Sequence, residues 1–338
     1  MSNANTSPPP GSGSAGGFLS SNPLLVLIFQ RILLGFVLLF AISALLFVGI
    51  EILPGDFAQA YLGQSATPEA VANIRKELGL DAPLLQRYLG WLGGVLQGDF
   101  GTSWANKVSV SEQIGKRLGN TLFLAFWAAV VSVPLAIGLG MIAVHYRNRF
   151  IDRLINIVSL AAISLPEFFT GYLLILFFAV NWGVAVFPAT VFADMAFTDR
   201  LAAIVLPCAT LVLVVLAHMM RMTRAAILNI MSSAYIETAE LKGMNAFRII
   251  AKHAAPNAIA PIINVVALNL AYLVVGVVVV EVIFVYPGMG QYLVDAVTIR
   301  DMPVVQACGL VFAAVYIILN MVADVLGILA NPRLRHPK

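Results

Sequence analysis

Three carboxylates stand in or at the edge of otherwise apolar stretches of this chain: Glu167 directly after Pro166, Glu281 at the end of a valine-rich run, and Asp324 in the last apolar segment. A charge at the centre of a bilayer costs about 2.5–3.5 kcal/mol or more, so such a group faces a bundle interior or water. There it either lines or gates a pathway or hydrogen-bonds one helix to another, and all three are candidates for both roles. Other chemistry finds little material. Gly115-Lys116-Arg117 lacks the upstream glycine spacing and the following Ser or Thr that cradle phosphates. No HExxH, GxSxG or paired-cysteine motif occurs, and His145, His218, His253 and His336 are too scattered for a metal site. Cys208 and Cys308 sit in apolar runs and read as buried free thiols. If this protein uses energy, the energy comes from another chain.

The elements that must hold these carboxylates are set by composition. Of 338 residues, 60% are hydrophobic and 11% are charged, and the mean hydropathy is +0.91. A soluble domain carries about 25% charged residues, so lipid must be the solvent for most of this surface. The net charge of +3 is small and dispersed, which argues against nucleic acid as a partner. The chain reads as an all-α polytopic membrane protein with six spans, at about 24–53, 121–144, 154–180, 201–220, 258–280 and 304–330. Each can cross roughly 30 Å of hydrocarbon at about 1.5 Å per residue. Prolines at 134, 166, 207 and 261 fall within or at the ends of these runs, so neighbouring helices must satisfy the freed carbonyls. Residues 1–23, rich in Ser, Pro, Gly and Asn, read as a disordered tail, and 331–338 as a short polar one.

Basic residues orient the spans. With the N-terminus inside, the cytoplasmic segments hold 12 Lys and Arg, against only Arg200 and Arg300 in the short outside loops. Both termini are therefore assigned to the cytoplasm. The long first outside segment, 54–118, reads as a small helical insertion. Thr67 caps a helix over 68–78, a second follows over 83–96, and Trp91 and Trp104 suit an interface. It reads equally as a packed cap and as a docking surface or lid.

The longest cytoplasmic loop, 221–257, is too polar for lipid and too ordered for a plain connector. Ser233 is the expected N-cap of a short helix over Ala234–Lys242, with Glu237 early, Lys242 last and Gly243 as the stop. Asn245 starts a second helix that runs to about Ala255, before Pro256. Ile236, Ala239 and Gly243 share one face, where small residues permit close approach of another surface.

Glu237-Thr238-Ala239-x-x-x-Gly243, with Pro256 thirteen residues on, resembles the EAA loop of binding-protein-dependent ABC importer permeases. Thr238 replaces an Ala of that pattern, and His253 and Ala255 replace its later Ile and Leu. The peptide, nickel and opine branch is similar elsewhere as well: Leu53-Pro54-Gly55-Asp56, Gly98-Asp99-Phe100-Gly101, Pro287-Gly288-Met289-Gly290 and Asp301-Met302-Pro303. The resemblance spans about residues 25–336.

That resemblance implies a type I ABC importer permease fold in a bacterial cytoplasmic membrane. The implied partners are a second homologous permease, two ATPase subunits that carry ATP and Mg, an extracytoplasmic solute-binding protein and lipid. This chain itself would hold no cofactor and catalyse nothing. Tyr235, Glu237, Thr238, Ala239, Lys242 and Gly243 would meet the ATPase, with Glu237 and Lys242 in polar contacts and Ala239 and Gly243 in close packing. Because the family shares the positions of Glu281 and Asp324 whatever the cargo, structural roles are favoured there, while Glu167 is evenly balanced. An ion-gradient-driven secondary transporter is the rival class. It would show a two-fold internal repeat with broken helices in matching halves, and no such repeat is visible.

Overall fold

The computed structural model describes residues 23–52, 57–183, 188–192 and 195–330. Of the expected tails, 1–23 and 331–338, residues 1–22 and 331–338 lie outside these residues, as does the Leu53–Asp56 motif, while Pro23 opens the first helix. Among the described residues there are helices and one isolated bridge, Thr102 to Ser109, with no strand. Among these residues five helices are long and apolar enough to cross a membrane, and there are six spans if the bent pair Phe150–Ser164 and Glu167–Asn181 counts as one.

In chain order the elements are α1 (Pro23–Ile52), α2 (Phe57–Leu62), α3 (Pro68–Glu77), α4 (Leu84–Leu96), α5 (Val110–His145), α6 (Phe150–Ser164) and α7 (Glu167–Leu174). A π-helical turn, Ile175–Asn181, prolongs α7. Then come α8 (Phe197–Ala203), α9 (Val205–Met231), α10 (Ala234–Leu241), α11 (Ala246–Ile249), α12 (Ile259–Ile283), α13 (Met289–Ile299) and α14 (Met302–Ala330). The core is built by α9 against α5 and α12, and by α12 against α14, with α1 laid on the outside of α14. Leu124, Leu211, Met219, Met220, Leu273 and Phe284 are buried there.

Three departures from the expected spans have physical causes. The helix that carries the second span begins at Val110, ahead of the span expected from 121, because a helix need not end where hydrocarbon ends. Glu112 and Lys116 form an i,i+4 pair of 2.7 Å on its exposed first turns. The third span is not one helix: α6 stops at Ser164, α7 starts at Glu167, and their axes differ by 102°. Pro166 has no N–H to donate and its ring holds Leu165 in an extended conformation, so the helix cannot run through. The fourth span continues past Met220 to Met231, well into the polar side.

The outer insertion is tied to the bundle. Thr67 caps α3 as expected, its Oγ1 accepting from the Ala70 N–H at 3.3 Å. From α4, Tyr88 reaches Ser43 of α1 at 2.8 Å and its ring stands edge-on to Phe47, while Arg87 pairs with Glu51 at 3.0 Å. Ser43 lies roughly 13 Å along the axis from the outer end of α1 at about 1.5 Å per residue. Thus α4 lies against the outer part of α1 instead of resting only on top of it. At the same end Asp301, just before α14, accepts from Ser103 Oγ at 2.5 Å and from the Trp104 N–H at 3.1 Å. Trp104 packs edge-on against Phe57, so it serves the packing of this insertion.

Candidate functional site

At the opposite end of α5, the segment between α9 and α12 folds into a short handle seated on the bundle. Ser233 does not cap α10 through its side chain. Its Oγ donates to the Ile230 carbonyl at 2.6 Å, closing the end of α9, while its extended backbone offers its own carbonyl to the Ile236 and Glu237 N–H groups. The stop is a Schellman-type turn: the Gly243 N–H donates to Glu240 O at 2.8 Å and the Met244 N–H to Ala239 O at 3.3 Å. Gly243 has φ +73°, a left-handed conformation that costs a residue with a Cβ about 1 kcal/mol or more. Asn245 then caps α11, its Oδ1 accepting from the Phe247 N–H at 2.9 Å. Beyond α11 a π-helical turn (Ile250–Ala254) carries the chain into Ala255–Asn257, so Pro256 opens a last turn and does not end the helix before it.

The two faces of α10 have different partners. Ile236 and Ala239 point inward and share one buried cluster with Val144 of α5, Ile227 of α9 and Ile249, Ile250 and Ile262 downstream. The close packing expected of Ala239 is thus made within this chain. The outward face carries Tyr235, Glu237, Thr238, Glu240, Leu241 and Lys242, all exposed. Leu241 is 83% exposed and Phe247 of α11 is 55% exposed, so two apolar side chains flank the charged ones. Neither was singled out from sequence, because an apolar residue in a short helix reads as inward-facing.

A second feature stiffens this end. Arg224 of α9 grips Asp152 of α6 with two hydrogen bonds, Nε to Oδ1 at 2.9 Å and Nη2 to Oδ2 at 2.8 Å. Asn156 and the Asn148 N–H complete the carboxylate's partners at 2.8 and 3.0 Å. A bidentate pair of this kind fixes orientation as well as charge.

The three carboxylates in or beside apolar runs take three different positions. Glu281 is fully buried. Its Oε1 accepts from Thr121 Oγ1 at 2.6 Å, and its Oε2 accepts from the Gly290 and Gln291 N–H groups at 2.7 and 3.1 Å. It therefore caps the N-terminus of α13 from inside the bundle and ties α12 to α5. A Cβ on Gly288 would overlap that carboxylate, which explains the glycine there. Asp324 of α14 pairs with Arg31 of α1 at 3.0 Å, joining the outermost helix to its neighbour. Glu167 lies at the break between α6 and α7. Its Oε1 is buried and has no hydrogen-bond partner among the described residues, and it opens on a cavity of about 440 Å³.

These features define an integral membrane subunit with a helical bundle, a cavity beside the break between α6 and α7, and a short handle at the end that the basic residues assign to the cytoplasm. Residues 132–336 match the family described as binding-protein-dependent transport system inner membrane component, and residues 24–125 match its N-terminal companion. The chain belongs to that family: it is an inner-membrane permease component of a binding-protein-dependent ABC importer. Among curated relatives, the glutathione transport system permease protein GsiC of Escherichia coli K12 is 36% identical over 298 residues, covering 88% of this chain and 95% of its own. GsiC of Salmonella paratyphi A matches at the same identity and coverage. Among solved structures, the inward-facing MetNI methionine ABC transporter aligns with 17% identity and a TM-score of 0.46, over 66% of this chain and 96% of its own. No feature of the bundle or of the matches favours an ion-gradient-driven transporter.

Proposed function

We propose that this chain forms half of the route for a peptide-like solute and takes its energy from separate ATPase subunits through the outward face of α10. The observation that carries this reading is the division of α10 into two faces: Ile236 and Ala239 are sealed into the bundle, while Tyr235, Glu237, Leu241 and Lys242 stand free. A helix that is seated on one side and bare on the other transmits a push. Its bare face mixes apolar anchors with both signs of charge, the composition of a protein contact and not of a lipid one.

The assembly has two permease chains, differing from one another, above two ATPases, with a solute-binding protein delivering cargo to the outer face. ATP and Mg belong to the ATPases, and this chain catalyses no reaction of its own. Glu237 and Lys242 make polar contacts to the motor, Leu241 and Tyr235 supply apolar anchorage, Thr238 lies beside them, and Gly243 sets the turn. Glu281 and Asp324 hold helices together, while Glu167 lies on the route. The peptide-like cargo rests on the relatives, which are named for glutathione transport.

The test is reconstitution. The four membrane-associated subunits in proteoliposomes should hydrolyse ATP in response to loaded binding protein and accumulate glutathione or a dipeptide. Leu241→Glu and Glu237→Lys should lower stimulated hydrolysis by tenfold or more with the permease still folded. Wild-type-like stimulation in both variants would remove α10 as the coupling element.

A further inference from the structure

The cavity beside Glu167 is built from the midpoints of three spans. Glu167 lies near the centre of the bent span 150–181, His218 near the centre of α9, and Asn269 and Tyr272 near the centre of α12. All four line one cavity, open on one side and otherwise walled by apolar residues such as Leu165 and Val215. Polar groups at this depth are costly unless paired, and here the pairing is incomplete. Among the described residues Glu167 Oε1 is buried without a hydrogen-bond partner, while the Tyr272 phenol interacts with the same carboxylate. Asn269 Nδ2 donates to the Val265 carbonyl at 2.8 Å and meets His218 Nδ1 at 3.4 Å, which leaves the Asn269 carbonyl oxygen as an acceptor.

We propose that this cavity is a subsite for the primary ammonium group of the transported solute, held by Glu167 with Tyr272 and Asn269 around it. The proposal rests on the peptide-like reading above. The lining favours a cation: it contains a carboxylate, an amide oxygen, a phenol and the His218 imidazole, and no Lys or Arg. It disfavours a metal ion, because among the described residues no group of three His, Cys, Asp or Glu converges. An ammonium donates three hydrogen bonds, enough for the unpaired carboxylate oxygen and its two polar neighbours. The break at Pro166 is what makes the site. A continuous helix would carry Glu167 in mid-turn, whereas the 102° bend places it at a corner facing α9 and α12.

The site can be probed without relying on delivery by the binding protein. In the nucleotide-free complex in detergent, Ala162, which lines the cavity, is replaced by Cys in a Cys208→Ser background and its maleimide labelling is timed. The probes are S-methylglutathione, whose blocked thiol cannot react, and its N-acetyl derivative, which lacks the ammonium. S-methylglutathione should slow labelling at least threefold, N-acetyl-S-methylglutathione should not, and Glu167→Gln should abolish the protection while Glu167→Asp retains part of it. Equal protection by both probes, protection that survives Glu167→Gln, or no protection at all would overturn the subsite. The last result is the one expected if the partner permease fills the cavity. Failure of the peptide-like reading is seen separately, as absence of glutathione and dipeptide uptake by the wild-type proteoliposomes, and that result would overturn the subsite as well.

Discussion

Thr121 Oγ1 stands 2.6 Å from Glu281 Oε1, so one buried hydrogen bond joins the second span to the fifth, 160 residues away in sequence. Thr121 also accepts from the Met289 N–H at 2.8 Å, which places it between the carboxylate and the first turn of α13. Glu281→Ala would leave Thr121, Gly290 and Gln291 donors unpaired in the interior. Each buried unpaired donor costs about 1–3 kcal/mol. The purified complex should therefore lose roughly 3 kcal/mol or more, visible as a large drop in melting temperature. Gly288→Ala should be as damaging despite its size, because the added Cβ meets the same carboxylate.

Asp152→Ala should destabilise the cytoplasmic end of the bundle by about 2 kcal/mol, since it removes both charge-assisted bonds to Arg224. A double-mutant cycle with Arg224→Ala should show a coupling energy well above the few tenths expected of independent sites. Strict additivity in the melting data would mean that the pair does not act as a unit.

Gly243→Ala tests backbone conformation by itself, because open space surrounds the position where a Cβ would go. The expected loss is about 1 kcal/mol from the left-handed φ. ATP hydrolysis stimulated by binding protein should fall less than in Leu241→Glu, since the outward face of α10 remains intact. A loss as large as that of Leu241→Glu would place Gly243 itself in the contact.

The Arg31–Asp324 pair predicts that charge order matters less than charge presence. Arg31→Asp or Asp324→Arg alone should lower the amount of chain recovered from the membrane, and the double exchange should restore it. Recovery is read by quantitative blotting of the membrane fraction.

Much of this architecture could be read from residue types, and the parts that could not share a cause. Long apolar runs announce a span because lipid demands about 20 such residues, and the clustering of Lys and Arg at one set of loops orients them. The same runs say nothing about bending. Residues 154–180 look continuous in hydropathy, and only Leu165-Pro166 carries the break, a local backbone constraint that apolar periodicity overrides when read alone. The start of α5 at Val110 was hidden for the opposite reason, since Glu112 and Lys116 look like loop residues until their pairing along a helix is seen. The handle was found from its glycine, its alternating small residues and Asn245. Which of its faces turned inward was not, because Ile236 and Leu241 are chemically alike and only tertiary packing separates them. His218, Asn269 and Tyr272 escaped notice singly: each is a common polar residue in a helix, and only the fold brings them to Glu167.

The burial of Ile236 and Ala239 against α5 and α9 also has a mechanical consequence. A joint with clearance wastes the first part of any stroke, and a handle on a loose tether would absorb small displacements of its driver. Here the handle is keyed into two spans at once, through Val144 of α5 and Ile227 of α9. Under the proposed coupling, a displacement imposed at Leu241 would be passed to α5 and α9 through the Ile236 and Ala239 contacts.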